Sequence, residues 1–134
     1  ITPILCHHSE RKVIKPERYQ KIILSACKQS LKYHFPVLHP MCSFKEFLEK
    51  QEDVPHQKLI AHCQDLEKKS LKSQIKPKGN HIILVGPEGD FSATEITLAT
   101  SMGYTGISLG ENRLRTETAA IVACHSVAYS NEAQ

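Results

Sequence analysis

Two stretches carry the residues best suited to chemistry: Val85-Gly86-Pro87-Glu88-Gly89-Asp90-Phe91-Ser92 and Ser108-Leu109-Gly110-Glu111-Asn112-Arg113-Leu114-Arg115-Thr116-Glu117-Thr118-Ala119. Each starts where an apolar, strand-like run ends and leads into a helical pattern. Both therefore put amide-rich backbone at the carboxyl ends of strands, where open α/β sheets bind ligands. Two such loops imply one shared pocket. Gly86 and Gly89 permit dihedrals and close ligand approach that a side chain hinders, while Pro87 removes a donor and stiffens the turn. The combination suits a flat or bent ligand held by backbone groups, although G-P-E-G alone would also fit many tight turns. Neither G-x-x-x-x-G-K-[ST] nor G-x-G-x-x-G occurs, and Glu88 would repel an anion, so a nucleoside triphosphate is disfavoured.

Positioning these loops requires strands and helices, and the sequence marks both. Pro16 suits a first helical turn, and Tyr19, Ile22, Ile23, Ala26, Cys27, Ser30 and Leu31 follow at helical spacing, predicting a helix over 16–33 that Pro36 stops. Val37-Leu38-His39 reads as a short strand, and Ser43 as the cap of a small helix with Phe44, Phe47 and Leu48 facing inward. After a turn at Gln51 to Pro55, Leu59-Ile60-Ala61 reads as a second strand. The lysine-rich segment from Asp65 to Lys78 is either a weak helix or a surface loop, ending in a turn at Lys76 to Asn80. His81 to Val85 is an unbroken apolar run and reads as a buried strand. Ser92 and Glu95 form a capping box with Phe91 as staple, predicting a helix from Ser92 to about Met102 that Gly103 ends. Thr105 to Leu109 is a further strand, and the last helix begins near Thr116 with Ala119, Ala120, Val122, Ala123 and Val127 as its face. Strands alternating with helices predict an α/β fold with a mostly parallel sheet flanked by helices.

Composition narrows the class. With 134 residues, 40% of them hydrophobic and 23% charged, the chain can build one ordinary globular core. No apolar run approaches the roughly 18 residues of a membrane span, and the start, Ile1-Thr2-Pro3-Ile4-Leu5, lacks signal-peptide regions, so a soluble, cytoplasmic chain is expected. Opening on Ile inside a strand-like run suggests that a native amino-terminal part is missing. Cys6, Cys27, Cys42, Cys63 and Cys124 are odd in number and widely spaced with no C-x-x-C pair, against a disulfide framework or zinc knuckle. Of eight histidines only His7-His8 are adjacent and none forms H-x-x-x-H, so no metal site is expected. Net charge is only +3, but Arg11, Lys12, Lys15, Arg18, Lys21, Lys28 and Lys32 outweigh Glu10 and Glu17. That excess either meets a phosphate backbone or forms a solvated helix face.

The stretch G-P-E-G-D-F-S-A-T-E-I at Gly86 to Ile96, followed by S-L-G-E-N-R-L-R-T-E-T-A at Ser108 to Ala119, resembles the small-subunit (16S) ribosomal RNA (uracil-N3)-methyltransferase family of the SPOUT superfamily. I-T-P-I-L at Ile1 to Leu5, S-E-R at Ser9 to Arg11 and K-Q-S at Lys28 to Ser30 before Pro36 extend the likeness over nearly the whole chain. The resemblance implies one SPOUT methyltransferase domain over 1–134 with a deep carboxyl-terminal trefoil knot, an exception to the rule against threaded loops. It implies S-adenosylmethionine bound in a bent form by Leu59, Ile60, Ala61, His62, Gly86, Pro87, Glu88, Gly89, Ile107, Leu109, Gly110, Leu114 and Arg115. It also implies a homodimer acting on small-subunit ribosomal RNA, and a first strand, a first helix and an RNA-binding barrel ahead of Ile1. Three departures stand out, the first being that basic positions of the family before the proline are Lys32 and His34 here. Asp90 replaces a second glycine after G-P-E-G, and Lys28 replaces the acidic residue of E-Q-S.

Methyl transfer from a sulfonium needs an in-line nucleophile, so the protein must align base and methyl group and stabilise a deprotonated uracil imide. Arg115 could stabilise that anion, or pair with Glu88 or Glu117. Glu88 could accept from the cofactor, orient a loop amide or simply cap a turn. Arg11 could contact RNA phosphate or the target base, or be a plain surface arginine. Two other functions compete: a SPOUT enzyme acting on another RNA atom such as a ribose hydroxyl, and a non-catalytic RNA-binding or dimerisation module.

Overall fold

The computed structural model describes residues 1–132. In chain order the elements are β1 Ile4–Leu5, α1 Pro16–Gln29, β2 Cys42–Ser43, α2 Phe44–Lys50, β3 Gln57–Ala61, β4 Lys69–Ser70, α3 Leu71–Gln74, β5 His81–Val85, α4 Ala93–Ser101, β6 Thr105–Ser108 and α5 Thr116–Glu132. β1 pairs with β2, and a second sheet runs in the order β4-β6-β3-β5; every pairing in both sheets is parallel. The fold is thus α/β, mostly parallel, with helices against the sheet.

Alternation along the strands gives the sheet two apolar faces. Ile60, Ile82 and Leu84 point to one side, where they meet Phe44 and Leu48 of α2 and Ile96 and Ala99 of α4. Leu59, Ile83 and Ile107 point to the other, against Leu71 of α3. β3 lies between β5 and β6, so the chain leaves β3 toward one neighbour and later returns to the other. That divergence opens a crevice at the carboxyl ends of the three strands.

The helix boundaries follow capping chemistry. Ser43 and Ser92 each accept from the backbone N–H three residues on, and Glu46 and Glu95 return the bond, closing two capping boxes. Behind α4, Gly103 takes φ +86° while Gly103 N–H donates to Thr100 O and Tyr104 N–H to Ala99 O, the paired bonds of a Schellman end. α1 closes in the same way without a glycine. Leu31 takes φ +53°, its N–H donates to Lys28 O and Lys32 N–H donates to Cys27 O. The helix therefore ends at Gln29, short of the expected 33.

Three other expectations need correction. Val37-Leu38-His39 is no strand: His39 N–H does reach Ile1 O, but Pro36 and Pro40 bring no donors and a regular ladder forms only at Cys42–Ser43. Lys69–Ser70 and Leu71–Gln74 within the lysine-rich segment are a strand pairing with β6 and a short helix, fixed by burial of Leu71 and by Ser70 Oγ accepting Ser73 N–H. On α5 the inner face is Ala119 and Ala123 with half-buried Val122 and Val127, whereas Ala120 is exposed.

Candidate functional site

A cavity of about 740 Å³ lies at the carboxyl ends of β3, β5 and β6, roofed by the start of α5. Its base is Ala61, Val85 and Ile107, the last residues of the strands or close to them. Side-chain and backbone bonds tie the surrounding loops together. Thr116 Oγ1 donates to Gly86 O at 3.0 Å, joining α5 to the loop after β5. Cys63 N–H donates to Asp90 Oδ2 at 2.8 Å, and Gln64 Nε2 donates to Phe91 O at 2.8 Å, joining the loops after β3 and β5. After β6, Ser108 Oγ donates to Gly110 O at 2.7 Å, while Gly110 itself takes φ +139°, a conformation that favours glycine.

Of the residues expected from the sequence, Ala61, His62, Gly86, Pro87 and Glu88 line this cavity on one side. Ile107, Leu109, Gly110, Leu114 and Arg115 line it on the other. Three expected contacts and one expected catalytic residue do not. Leu59 and Ile60 are wholly buried in the two cores on either side of the sheet. Gly89 faces the opposite way, so that a Cβ there would lie 2.7 Å from His8 Cβ. Arg11 is exposed and outside the lining.

Arg115 and Glu88 are both exposed at the rim. Neither the Arg115–Glu88 nor the Arg115–Glu117 pair forms; among the described residues the ion pair within 4.0 Å is Lys45–Glu49. His62 is 7% exposed, and its Nδ1 has no hydrogen-bond partner. Burial holds its pKa below the usual imidazole value, with nearby Lys68 adding to the effect and Asp90 opposing it, so the ring is neutral at pH 7. Among the described residues no cluster of three or more His, Cys, Asp or Glu side chains is placed to hold a metal ion.

Sequence reasoning missed several cavity residues. Lys68 sits in a segment with no motif, and Cys63 is one of five scattered cysteines with no metal or disulfide pattern. Thr116 lies within the second motif stretch, but its bond to Gly86 O has no signature in the sequence. Asp90 was visible as a departure from glycine, but the bond its carboxylate makes to Cys63 was not.

The RNA methyltransferase domain model matches residues 1–128. A ribosomal RNA small subunit methyltransferase E of Mesomycoplasma hyopneumoniae is 36% identical over 107 residues, covering 80% of this chain and 45% of the relative. Among solved structures, a probable rRNA-methyltransferase from Porphyromonas gingivalis superposes with a TM-score of 0.87 at 38% identity, over 97% of this chain and 55% of that one. The ribosomal RNA small subunit methyltransferase E of Neisseria gonorrhoeae, solved bound to S-adenosyl methionine, gives a TM-score of 0.80 at 28% identity, over 96% and 55%. The chain spans about half the length of the curated relatives it matches. Over that span, with its parallel sheet and the crevice at its carboxyl edge, the chain belongs to the RNA methyltransferase domain family.

Proposed function

We propose that this chain is the cofactor-binding domain of an S-adenosylmethionine-dependent enzyme that methylates N3 of a uridine in 16S ribosomal RNA. The observation that carries the reading is the cavity itself: three parallel strands and the start of α5 converge on it, and its two flanking loops are the G-P-E-G and L-R-T-E-T-A segments. Its size lies inside the ~300–1,000 Å³ of small-molecule sites. Gly86 is buried at its wall, where the missing side chain makes room for the Phe91 ring, 3.2 Å from where a Cβ would stand. Carboxylates at the rim complement a cationic ligand. The residues present therefore fit the cofactor.

S-adenosylmethionine supplies a methyl group on a sulfonium. The backbone of Gly86 to Glu88 and of Ile107 to Gly110, with Leu114, would hold it. Arg115, exposed at the rim without an ion-pair partner among the described residues, would stabilise negative charge on the deprotonated imide. Glu88, on the same rim, would orient the cofactor or a loop amide. Arg11, outside the cavity, would contact RNA phosphate.

In this reading α5 passes through the loop that carries the two motifs and completes a deep trefoil knot; its Thr116 bond to Gly86 O supports that placement. The enzyme would work as a cytoplasmic homodimer, with exposed Ile121 and Tyr129 on α5 as candidate contacts. A first strand and helix, and an RNA-binding barrel, would precede Ile1, and the uncovered apolar side of α1, including Tyr19 and Ile22, is a surface the first two could cover.

Calorimetric titration with S-adenosylmethionine tests the core of the reading. Saturable binding at a 1:1 ratio is expected; absence of binding by the folded chain overturns it. Nucleoside mass spectrometry after reaction with small-subunit RNA identifies the methylated atom.

A further inference from the structure

We propose that Asp90 makes the cavity select its ligand by charge, favouring a sulfonium cofactor over the neutral thioether left after methyl transfer; the inference rests on the cofactor reading above. Asp90 adopts φ +63°, a left-handed conformation that Asp and Asn enter more readily than other residues bearing a Cβ. From there its Oδ2 accepts Cys63 N–H at 2.8 Å, and its Oδ1 lies on the Gly86 side, 3.3 Å from where a Gly86 Cβ would stand. His8 Nδ1 meets Asp90 O at 3.0 Å, and Asp90 N–H donates to Pro87 O at 2.9 Å. Backbone and side chain are thus both held, and the carboxylate is fixed between the exits of β3 and β5.

Fixation and partial burial separate Asp90 from the other acids of the cavity. Glu88, Glu111 and Glu117 also line it, but all three are exposed, where water and salt screen their charge. Half-buried Lys68 brings the opposite sign, as do Arg113 and Arg115, which are exposed. Removing the Asp90 charge would therefore take away the one half-buried acid of the lining and leave half-buried Lys68, with exposed Arg113 and Arg115, opposed only by exposed acids. A ligand with an extra positive charge would lose affinity, and its neutral counterpart would not. Product release after methyl transfer would be aided by the same difference.

The test is calorimetric titration of the whole chain and of Asp90→Asn with S-adenosylmethionine and S-adenosylhomocysteine. Asn tolerates the same conformation and still offers an oxygen to Cys63 N–H, so the loop clasp is retained while the charge is lost. Unit charges several ångströms apart in a partly screened cleft predict that Asp90→Asn weakens S-adenosylmethionine about five- to tenfold and leaves S-adenosylhomocysteine unchanged. Equal weakening of both ligands would make Asp90 a loop clasp only and overturn the proposal, as would no change in either. A parent chain that binds neither ligand overturns the cofactor reading itself, and this inference with it.

Discussion

Replacing Gly89 with alanine should destabilise the fold rather than block the cavity. The new Cβ would stand 2.7 Å from His8 Cβ and 3.3 Å from His8 Cγ, where carbons ordinarily settle at about 3.5–4.0 Å. His8 cannot swing clear, because the nearest atom is its own Cβ, and flanking bonds hold the segment. His7 N–H donates to Glu95 Oε1 at 2.8 Å, and His8 Nδ1 meets Asp90 O at 3.0 Å. Overpacking of this kind costs about 1–3 kcal/mol. Gly89 does not stand in the left-handed region, so alanine brings no dihedral penalty there, and the stiffer unfolded chain offsets about 0.4–1 kcal/mol. With an unfolding entropy of about 2.1 cal/mol/K per residue, or about 0.28 kcal/mol/K for 134 residues, a mid-range remainder of about 1.3 kcal/mol lowers Tm by about 5 °C. Thermal melts followed by circular dichroism measure it. The double variant His8→Gly/Gly89→Ala removes both carbons of the clash, so its loss should be smaller than the two single losses added. An unchanged Tm for Gly89→Ala, or simple additivity in the double variant, would refute the argument.

Ser92→Ala should cost about 1 kcal/mol, because Ser92 Oγ no longer accepts Glu95 N–H; urea unfolding reads the change. His62 gives a pH dependence of known sign. Its folded pKa is depressed, so its contribution to stability is complete above the unfolded value of 6.5 and is lost as pH falls through the folded value. His62→Gln should flatten that part of the acid limb in a Tm-against-pH series, and an unchanged slope would exclude His62 as its source. Among the thiols, exposed Cys63 and Cys124 should alkylate first, while buried Cys6, its pKa pushed up to about 12 chiefly by burial, stays inert. S-adenosylmethionine should slow alkylation of cavity-lining Cys63 and spare the rate at Cys124, which peptide mapping would resolve. In an enzyme active on small-subunit RNA, Arg115→Ala should lower single-turnover methylation by about a hundredfold or more, with a much smaller loss of cofactor affinity. Equal losses in both would recast Arg115 as a cofactor-site residue.

The elements legible in the sequence were those with local chemistry. His81–Val85 is an unbroken apolar run, and Ser92 with Glu95 closes a box within one helical turn, so neither needs distant residues to define it. Lys69–Ser70 is the opposite case: two exposed polar residues become a strand only because β6 offers an edge, which no local pattern announces. The end of α1 was missed because Leu31 stands where a glycine would have marked it. In the site, the two motif loops were legible from glycine, proline and strand endings. The bonds joining them were not, since Asp90 and Cys63 meet across 27 positions of sequence and Thr116 and Gly86 across 30. Gly89 was misjudged for a related reason. A glycine announces that something comes close, and only the fold says that it is His8.

The fastening of α5 also bears on the order in which the protein can be made. The helix runs back along β5 and is pinned at both ends, by Thr116 to Gly86 O and by Asn131 Oδ1 accepting Lys78 N–H at 2.8 Å. One pin lies at the cavity and the other at the far end of β5. A chain emerging from the ribosome can therefore lay down β3, β5 and β6 before the roof of the crevice, whose residues Thr116, Glu117 and Ala119 open α5 and come later in the chain. Until then Gly86 O, which accepts the Thr116 hydroxyl, lacks that partner. The cavity thus closes only when a helix later in the sequence than every strand of the sheet docks back against β5.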